Sequence, residues 1–413
     1  MIEMTKVAEP PTKSALREKL RIAMEVSVAG VCCVMLALTG LFFCVTLLTG
    51  KTAGTRDFVV YWATGQQFAQ HGNPYDKAAL SRLERSAGLP PEYGVMYMRN
   101  PPWTLPITLP LGFFGVRTAS FLWSLLLVAC LAASVQMLWV MCGSPGNRLH
   151  FLGYSFAPAI LCLMFGQTSL FALLGLVLFL RLHERRPALA GMSLWLCALK
   201  PHLFVPFGVV LLAWAFVSRS YKLLAGAAVA MGASCVIVYL IDPTAWLQYA
   251  QMMHASGVVD REYIPCLTVV MRLWLNPSAI WLQYLPTAFG CLWALSYFWL
   301  RRNEWSWRND GSLLMLVSLL VAPYSWLFDQ ALVIPALFQG IYLTKSRNLL
   351  LTLALASALI EVAIYCDIWF PLALYRWTLW TAPVWLVWYF LACRSVPANG
   401  SSRGRLPWQA RAL

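Results

Sequence analysis

The chain has 413 residues, 60% hydrophobic and only 12% charged, with 20 Trp and a formal net charge of +14. Soluble domains carry about 25% charged residues, so this balance, with a mean hydropathy of +0.65, excludes an ordinary water-soluble globular protein and indicates an integral membrane protein. On a soluble chain the positive charge would point to nucleic acid. In a membrane protein Lys and Arg gather in cytoplasmic loops for topological reasons, and no nucleic-acid partner is expected.

Residues 1–25 read as a polar cytoplasmic arm containing Lys6, Lys13, Arg17, Lys19 and Arg21. The apolar run from Val26 to Leu48 exceeds a signal-peptide core and predicts a retained first transmembrane helix. Further apolar segments lie at 118–141, 150–165, 168–182, 187–199, 203–217, 222–241, 278–300, 311–322, 328–343, 348–365 and 377–393. They predict an all-α polytopic membrane protein with about 12 transmembrane segments (range 10–12), residues 26–393 forming a single transmembrane domain. An even count puts both termini in the cytoplasm, with 394–413 as a disordered basic tail. On that topology 20 of the 31 Lys and Arg fall inside and 11 outside, as the positive-inside rule requires.

Two extracytoplasmic loops are large, at 49–117 and 242–277. In the first, Phe58, Tyr61, Trp62 and Phe68 alternate with small or polar residues up to the turn at His71–Tyr75, which predicts an amphipathic helix from Asp57 to Gln70 lying along the membrane face. Arg99-Asn100-Pro101-Pro102-Trp103 then leads back to the bilayer as a rigid extended piece. Segments 187–199 with 203–217, and 311–322 with 328–343, are too short to span singly, since 13 helical residues rise about 20 Å against a hydrocarbon core of about 30 Å. They read as hairpins or broken helices. Their elbows, Leu199-Lys200-Pro201-His202 and Ala322-Pro323-Tyr324-Ser325-Trp326-Leu327-Phe328-Asp329, place ionisable groups below the outer surface. Insertion there costs about 2.5 to 3.5 kcal/mol for a central Lys or Asp, which marks both elbows as functional candidates.

Asp57 is either a first-turn helix acid or a general base at the water–lipid boundary. Lys200, with His202 two residues on, either snorkels to the surface or binds an anion, of which phosphate is the obvious one. Arg99 and Arg261 are further outer cations, as loop charges or as contributors to that site. Asp329 competes between a helix cap and a catalytic or sugar-binding role, while Trp326 suits an aromatic belt. Glu84 reads as an ordinary loop acid and Glu361 as one that reaches the surface. The 12 Cys include no CxxC pair, and Cys266 and Cys366 lie outside, where a pairing is open to them. No histidines stand at ligand spacing, so no metal and no cofactor are expected. There is no Gly-rich nucleotide loop, GxSxG elbow or HExxH helix. The substrate is therefore expected in or at the outer face of the membrane.

Together these residues resemble glycosyltransferase family 87. The resemblance rests on the acid of Asp57-Phe58 followed by Tyr61-Trp62, then Gly72-Asn73-Pro74-Tyr75, Arg99–Trp103, Phe165-Gly166-Gln167-Thr168, Ala190-Gly191 leading to Lys200-Pro201, and Pro323-Tyr324-Ser325-Trp326. It extends over about residues 25–395. It implies a GT-C-type fold, a polyprenyl-phosphate-linked sugar donor, usually the mannose lipid, and inverting transfer to a lipid or glycan acceptor on the extracytoplasmic face of the plasma membrane, without a metal. By resemblance Asp57 is the catalytic acid residue and Lys200-Pro201 the family's Lys-Pro segment. Lys200, His202 and Arg99 are then the candidates for the donor phosphate. Tyr61, Asn100, Gln167, Arg261, Tyr324, Trp326 and Asp329 are candidates for substrate or sugar contact. Many members place a histidine after the late Ser-x-Trp segment; here Leu327-Phe328-Asp329 stands instead, so either Asp329 takes that role or the role is absent.

Two other classes fit the same features. A transporter or lipid flippase also uses broken helices and buried ions, and a polyprenyl-lipid-binding membrane protein needs no turnover. Reporter fusions test the topology: one placed after Arg394 should read cytoplasmic and one at Gly88 extracytoplasmic, and the reverse pattern overturns the orientation.

Overall fold

The computed structural model describes residues 13–49, 56–90, 94–256, 266–344, 346–369, 378 and 380–394. Among them the chain is entirely helical. The elements are α1 (Lys13–Thr49), α2 (Arg56–Ala69), α3 (Lys77–Ser86), α4 (Leu105–Thr108), α5 (Val116–Met141), α6 (Phe151–Tyr154), α7 (Ala157–Phe165), α8 (Ser169–Leu182), α9 (Pro187–Cys197), α10 (Val205–Val217), α11 (Tyr221–Ile241), α12 (Ala245–Ser256), α13 (Leu267–Leu275), α14 (Leu285–Arg301), α15 (Trp307–Leu320), α16 (Ile334–Leu343), α17 (Arg347–Trp369) and α18 (Thr381–Arg394).

Among the described residues four helical stretches are long and apolar enough to cross a membrane: Ile22–Val45, Val116–Met141, Tyr221–Ile241 and Arg347–Ile364. The other apolar helices are shorter, so length alone does not reproduce twelve crossings. The segment expected at 150–165 is broken, because Phe156 is extended (ψ 116°) ahead of Pro158 at the start of α7. The one expected at 278–300 starts only at Leu285, after a single 3-10 turn at Ile280–Gln283. Most of the approach to α18, and the N-terminal arm before Lys13 and tail after Arg394, lie outside the described residues.

Helix α9 packs between α8 and α11. A Cβ on Gly191 would run into the Leu223 carbonyl and one on Gly226 into that of Ala188, so small residues set this close crossing, as is usual between helices in lipid. Helix α2 departs from expectation. It forms where predicted, yet every residue from Phe58 to Gly65 is buried, and it is a core helix rather than one lying along the membrane face. The physical reason is the Leu105–Phe113 segment, which folds down onto it. Gly65 and Gly112 meet backbone to backbone there, each lacking the Cβ that would strike the other's neighbourhood. Two further expectations are corrected and one left open is settled. Glu361 does not reach the surface; it is buried and accepts a hydrogen bond from the Thr39 hydroxyl of α1 at 3.0 Å. Cys266 and Cys366 are both free thiols.

Glu84 is the second correction. Asp76 caps α3 by accepting from the Ala79 N–H at 2.6 Å, and the amphipathic face of that short helix turns Ala79, Leu80 and Glu84 inward. One Glu84 oxygen accepts the Met96 N–H at 3.2 Å, while the other, buried, has no hydrogen-bond partner among the described residues. Burial therefore pushes this loop carboxyl from 4.5 up to about 7, against the smaller pull of the Met96 N–H and the Arg85 charge. A carboxyl raised in the folded state binds its proton more tightly there than when unfolded. Its contribution is fully present below about pH 4.5 and is lost as pH rises through about 7. Glu84→Gln should therefore stabilise the protein by about 2 kcal/mol above pH 7 and leave it unchanged near pH 4, as thermal unfolding in detergent at the two pH values will report.

Candidate functional site

The site is assembled from chain breaks. Helix α7 ends at Gly166 in the left-handed region (φ 72°), where a Cβ would meet Cβ of Phe58 at 2.7 Å. Glycine is thus required both by the backbone and by the approach of α2. The Gly166 carbonyl accepts from the Trp123 indole at 2.7 Å. The reversal sets Gln167 and Ser169 beside each other at the start of α8.

The first elbow follows α9. Lys200 precedes Pro201, which drives it out of helical geometry (φ −133°, ψ 67°) and swings its side chain away from the helix line. The carbonyls left over at the end of α9 are taken up by the extended run from the first loop. Asn100 Nδ2 donates to Leu199 O at 2.7 Å and Trp103 Nε1 to Ala198 O at 2.9 Å, satisfying helix-terminal acceptors that lipid could not. The second elbow follows α15 and becomes the 3-10 segment Leu327–Val333, headed by an Asp329 carboxylate that accepts the Trp326 N–H at 2.9 Å.

These pieces converge on one buried network. Lys200 Nζ donates to Asp329 Oδ1 at 2.7 Å, Gln167 Oε1 at 2.9 Å and Ser169 Oγ at 3.0 Å. All three of its N–H groups are thereby used. Ser169 Oγ donates in turn to Asp329 Oδ1, and Tyr61 Oη to Gln167 Oε1 at 3.0 Å. The Phe328 ring lies 4.7 Å from the ammonium, close enough for a cation–π contact. Exposure is 6% or less for Lys200, Asp329, Ser169 and Tyr61, and 7% for Gln167.

Of the residues singled out from the sequence, Lys200, Gln167, Tyr61 and Asp329 are brought into contact. Asp57 sits half-buried in the first turn of α2, four residues before Tyr61 and so on the same helical face. The His202 ring stacks on Tyr324 at 4.0 Å and 19°. Trp326 lies parallel to Phe328 at 6.1 Å. Asn100 serves the elbow backbone, and the Arg99 carbonyl accepts from Tyr249 Oη at 3.0 Å. Arg261 lies outside the described residues. Sequence reasoning missed Ser169 and Phe328. The only signal for Ser169 was a hydroxyl at the head of an apolar helix, which a plain cap would equally supply.

The comparisons can now be set beside this geometry. The model of glycosyltransferase family 87 matches residues 97–323, more than half of the chain. The protein belongs to glycosyltransferase family 87. No curated protein and no solved structure matches it. The family 87 match takes in Asn100, Gln167, Ser169, Lys200 and His202 and stops short of Asp57, Tyr61, Tyr324 and Asp329.

Removing one partner of a buried ion pair leaves a lone charge and costs about 3–5 kcal/mol, whereas removing both does not. Lys200→Met and Asp329→Leu should each lower the unfolding temperature in detergent sharply. The double substitution should recover most of the loss.

Proposed function

We propose that this family 87 protein transfers a sugar, with mannose the first candidate, from a polyprenyl-phosphate-sugar donor to a hydroxyl of a lipid or glycan acceptor on the extracytoplasmic face of the plasma membrane. The observation that carries this reading is the convergence of both elbows and helix α2 on Lys200. It brings a buried cation to the helix that bears Asp57.

In the proposed reaction Asp57 takes the proton of the acceptor hydroxyl as its oxygen bonds to the anomeric carbon. The bond from that carbon to the phosphate oxygen breaks, and the electron pair leaves with the polyprenyl phosphate. A single displacement of this kind inverts the anomeric centre. The leaving phosphate gains charge but needs no proton, so one base and a cationic cradle suffice. Lys200 supplies the cation, with His202 and Arg99 completing the cradle. His202 Nε2 is buried without a hydrogen-bond partner among the described residues, which suits it to a ligand oxygen. Since the Lys200 donors are filled, an arriving phosphate oxygen displaces a neutral acceptor, Gln167 or Ser169, more readily than the Asp329 carboxylate. The half-buried position of Asp57 favours a base that is desolvated when an acceptor covers it.

The test is transfer by purified protein from polyprenyl-phosphate-mannose, and from the corresponding arabinose lipid, to membrane-extracted lipids. Asp57→Asn should lower kcat by about 10²–10⁴-fold with donor binding retained. Full activity in that variant eliminates the base assignment, and uptake of labelled lipid without transfer would favour a flippase.

A further inference from the structure

Asp329 lies in the elbow that follows the late Ser-x-Trp segment, and its surroundings give it a different task from touching sugar. Its carboxylate is already engaged on both oxygens: Oδ1 holds Lys200 Nζ and Ser169 Oγ, and Oδ2 holds the Trp326 N–H. The aspartate side chain is 1% exposed and that of the lysine 8%. Both charged groups are thus withdrawn from the surface, the carboxylate more completely than the ammonium. Among the described residues it is the one carboxylate within ion-pair distance of Lys200.

We propose that Asp329 is a positioning residue that acts only through Lys200, anchoring the ammonium so that the two donors now held by Gln167 and Ser169 can turn to the donor phosphate. A lone lysine at a Lys-Pro elbow has four rotatable bonds and would snorkel toward the surface. The pair with Asp329, itself locked by the 3-10 turn it caps, keeps the ammonium at fixed depth. Ser169 bridges the two charged groups, and Gln167 carries the same anchorage across to Tyr61 on α2. The anchor spares the two neutral acceptors for exchange and retains the charged one. The cation thus arrives at the phosphate already oriented, with little side-chain freedom left to lose on binding.

This inference rests on Lys200 holding the donor phosphate. A residue acting through another loses its effect when that other is gone, and the test exploits this in equilibrium binding rather than turnover. Binding of polyprenyl-phosphate-mannose to purified wild type, Lys200→Met, Asp329→Asn, Asp329→Glu and the Lys200→Met/Asp329→Asn double variant would be followed by tryptophan fluorescence. Each of Lys200→Met and Asp329→Asn should weaken binding by about tenfold or more. The double variant should bind no worse than Lys200→Met, and Asp329→Glu, which keeps the charge, should recover most of the affinity. Multiplicative losses in the double variant would mean that Asp329 meets the ligand itself, and would overturn the proposal. Unchanged affinity in Asp329→Asn, alongside a lowered unfolding temperature, would make the pair a structural pin and overturn it as well. The double variant carries no lone buried charge, so it remains interpretable if a single variant does not fold. Wild type that binds this lipid without transferring its sugar would refute the reaction and leave the binding cycle to decide the role of Asp329. Wild type that does not bind it would overturn both.

Discussion

A lysine and an aspartate withdrawn from water and set 2.7 Å apart constrain everything around them. Desolvating both ions is worthwhile only if the geometry is good and the leftover donors and lone pairs are satisfied. Here the condition is met by groups from four separate stretches: the turn after Gly166, the Lys-Pro elbow, the 3-10 segment beginning at Leu327, and α2. If any of the first three moves, a buried charge loses a partner, and if α2 moves, Gln167 loses one. The network thus fixes the relative placement of the breaks more strictly than apolar packing would, since apolar contacts slide at little cost.

The short helices follow from the same requirement. A helix that stops inside a lipid-facing protein exposes carbonyls with no water to meet them, so another part of the chain must supply donors. Asn100 and Trp103 do this for α9, Trp123 for α7, and Thr268, Thr287 and Gln283 do it for the end of α15 through Ala322, Val321 and Pro323. The Arg99–Trp103 run, rigid because of its paired prolines, is thereby a clamp on the first elbow as much as a way back to the bilayer. The side chains of Asn100 and Trp103 are thus structural parts of the helical domain, and the 49–117 segment cannot be regarded as a separate cap.

Helix class, most segment positions and the elbows were legible in the sequence, because hydropathy and Pro placement are local properties. Lys200 and Asp329 stood out as ionisable groups in apolar elbows, while Gln167 and Tyr61 came forward as site candidates only through the family resemblance. That two of them pair was not legible, since 129 residues separate Lys200 from Asp329 and no local pattern encodes which buried charge meets which. The burial of α2 was misread for a related reason. Aromatic and small residues in alternation describe an interfacial helix equally well, and only the fold of Leu105–Phe113 over it distinguishes the two. Glu84 and Glu361 lie where sequence position suggests water, yet each is turned inward by the face of its helix, and that face is decided by tertiary packing.

The extent of the family match divides the site along a chemical line. The matched stretch, 97–323, holds the cation and its neutral acceptors, whereas the base candidate Asp57 and the counter-ion Asp329 lie on either side of it. In a lipid-linked donor the phosphate is the invariant group, and the acceptor hydroxyl is what distinguishes one such reaction from another. On the proposed reading the cradle would lie within the matched stretch and the acids on flanking segments, so that the anchoring of the cation could change without a change in the group it binds. Asp329 is the case in point: it lies beyond the matched stretch, yet it is the residue that pairs with Lys200 inside it.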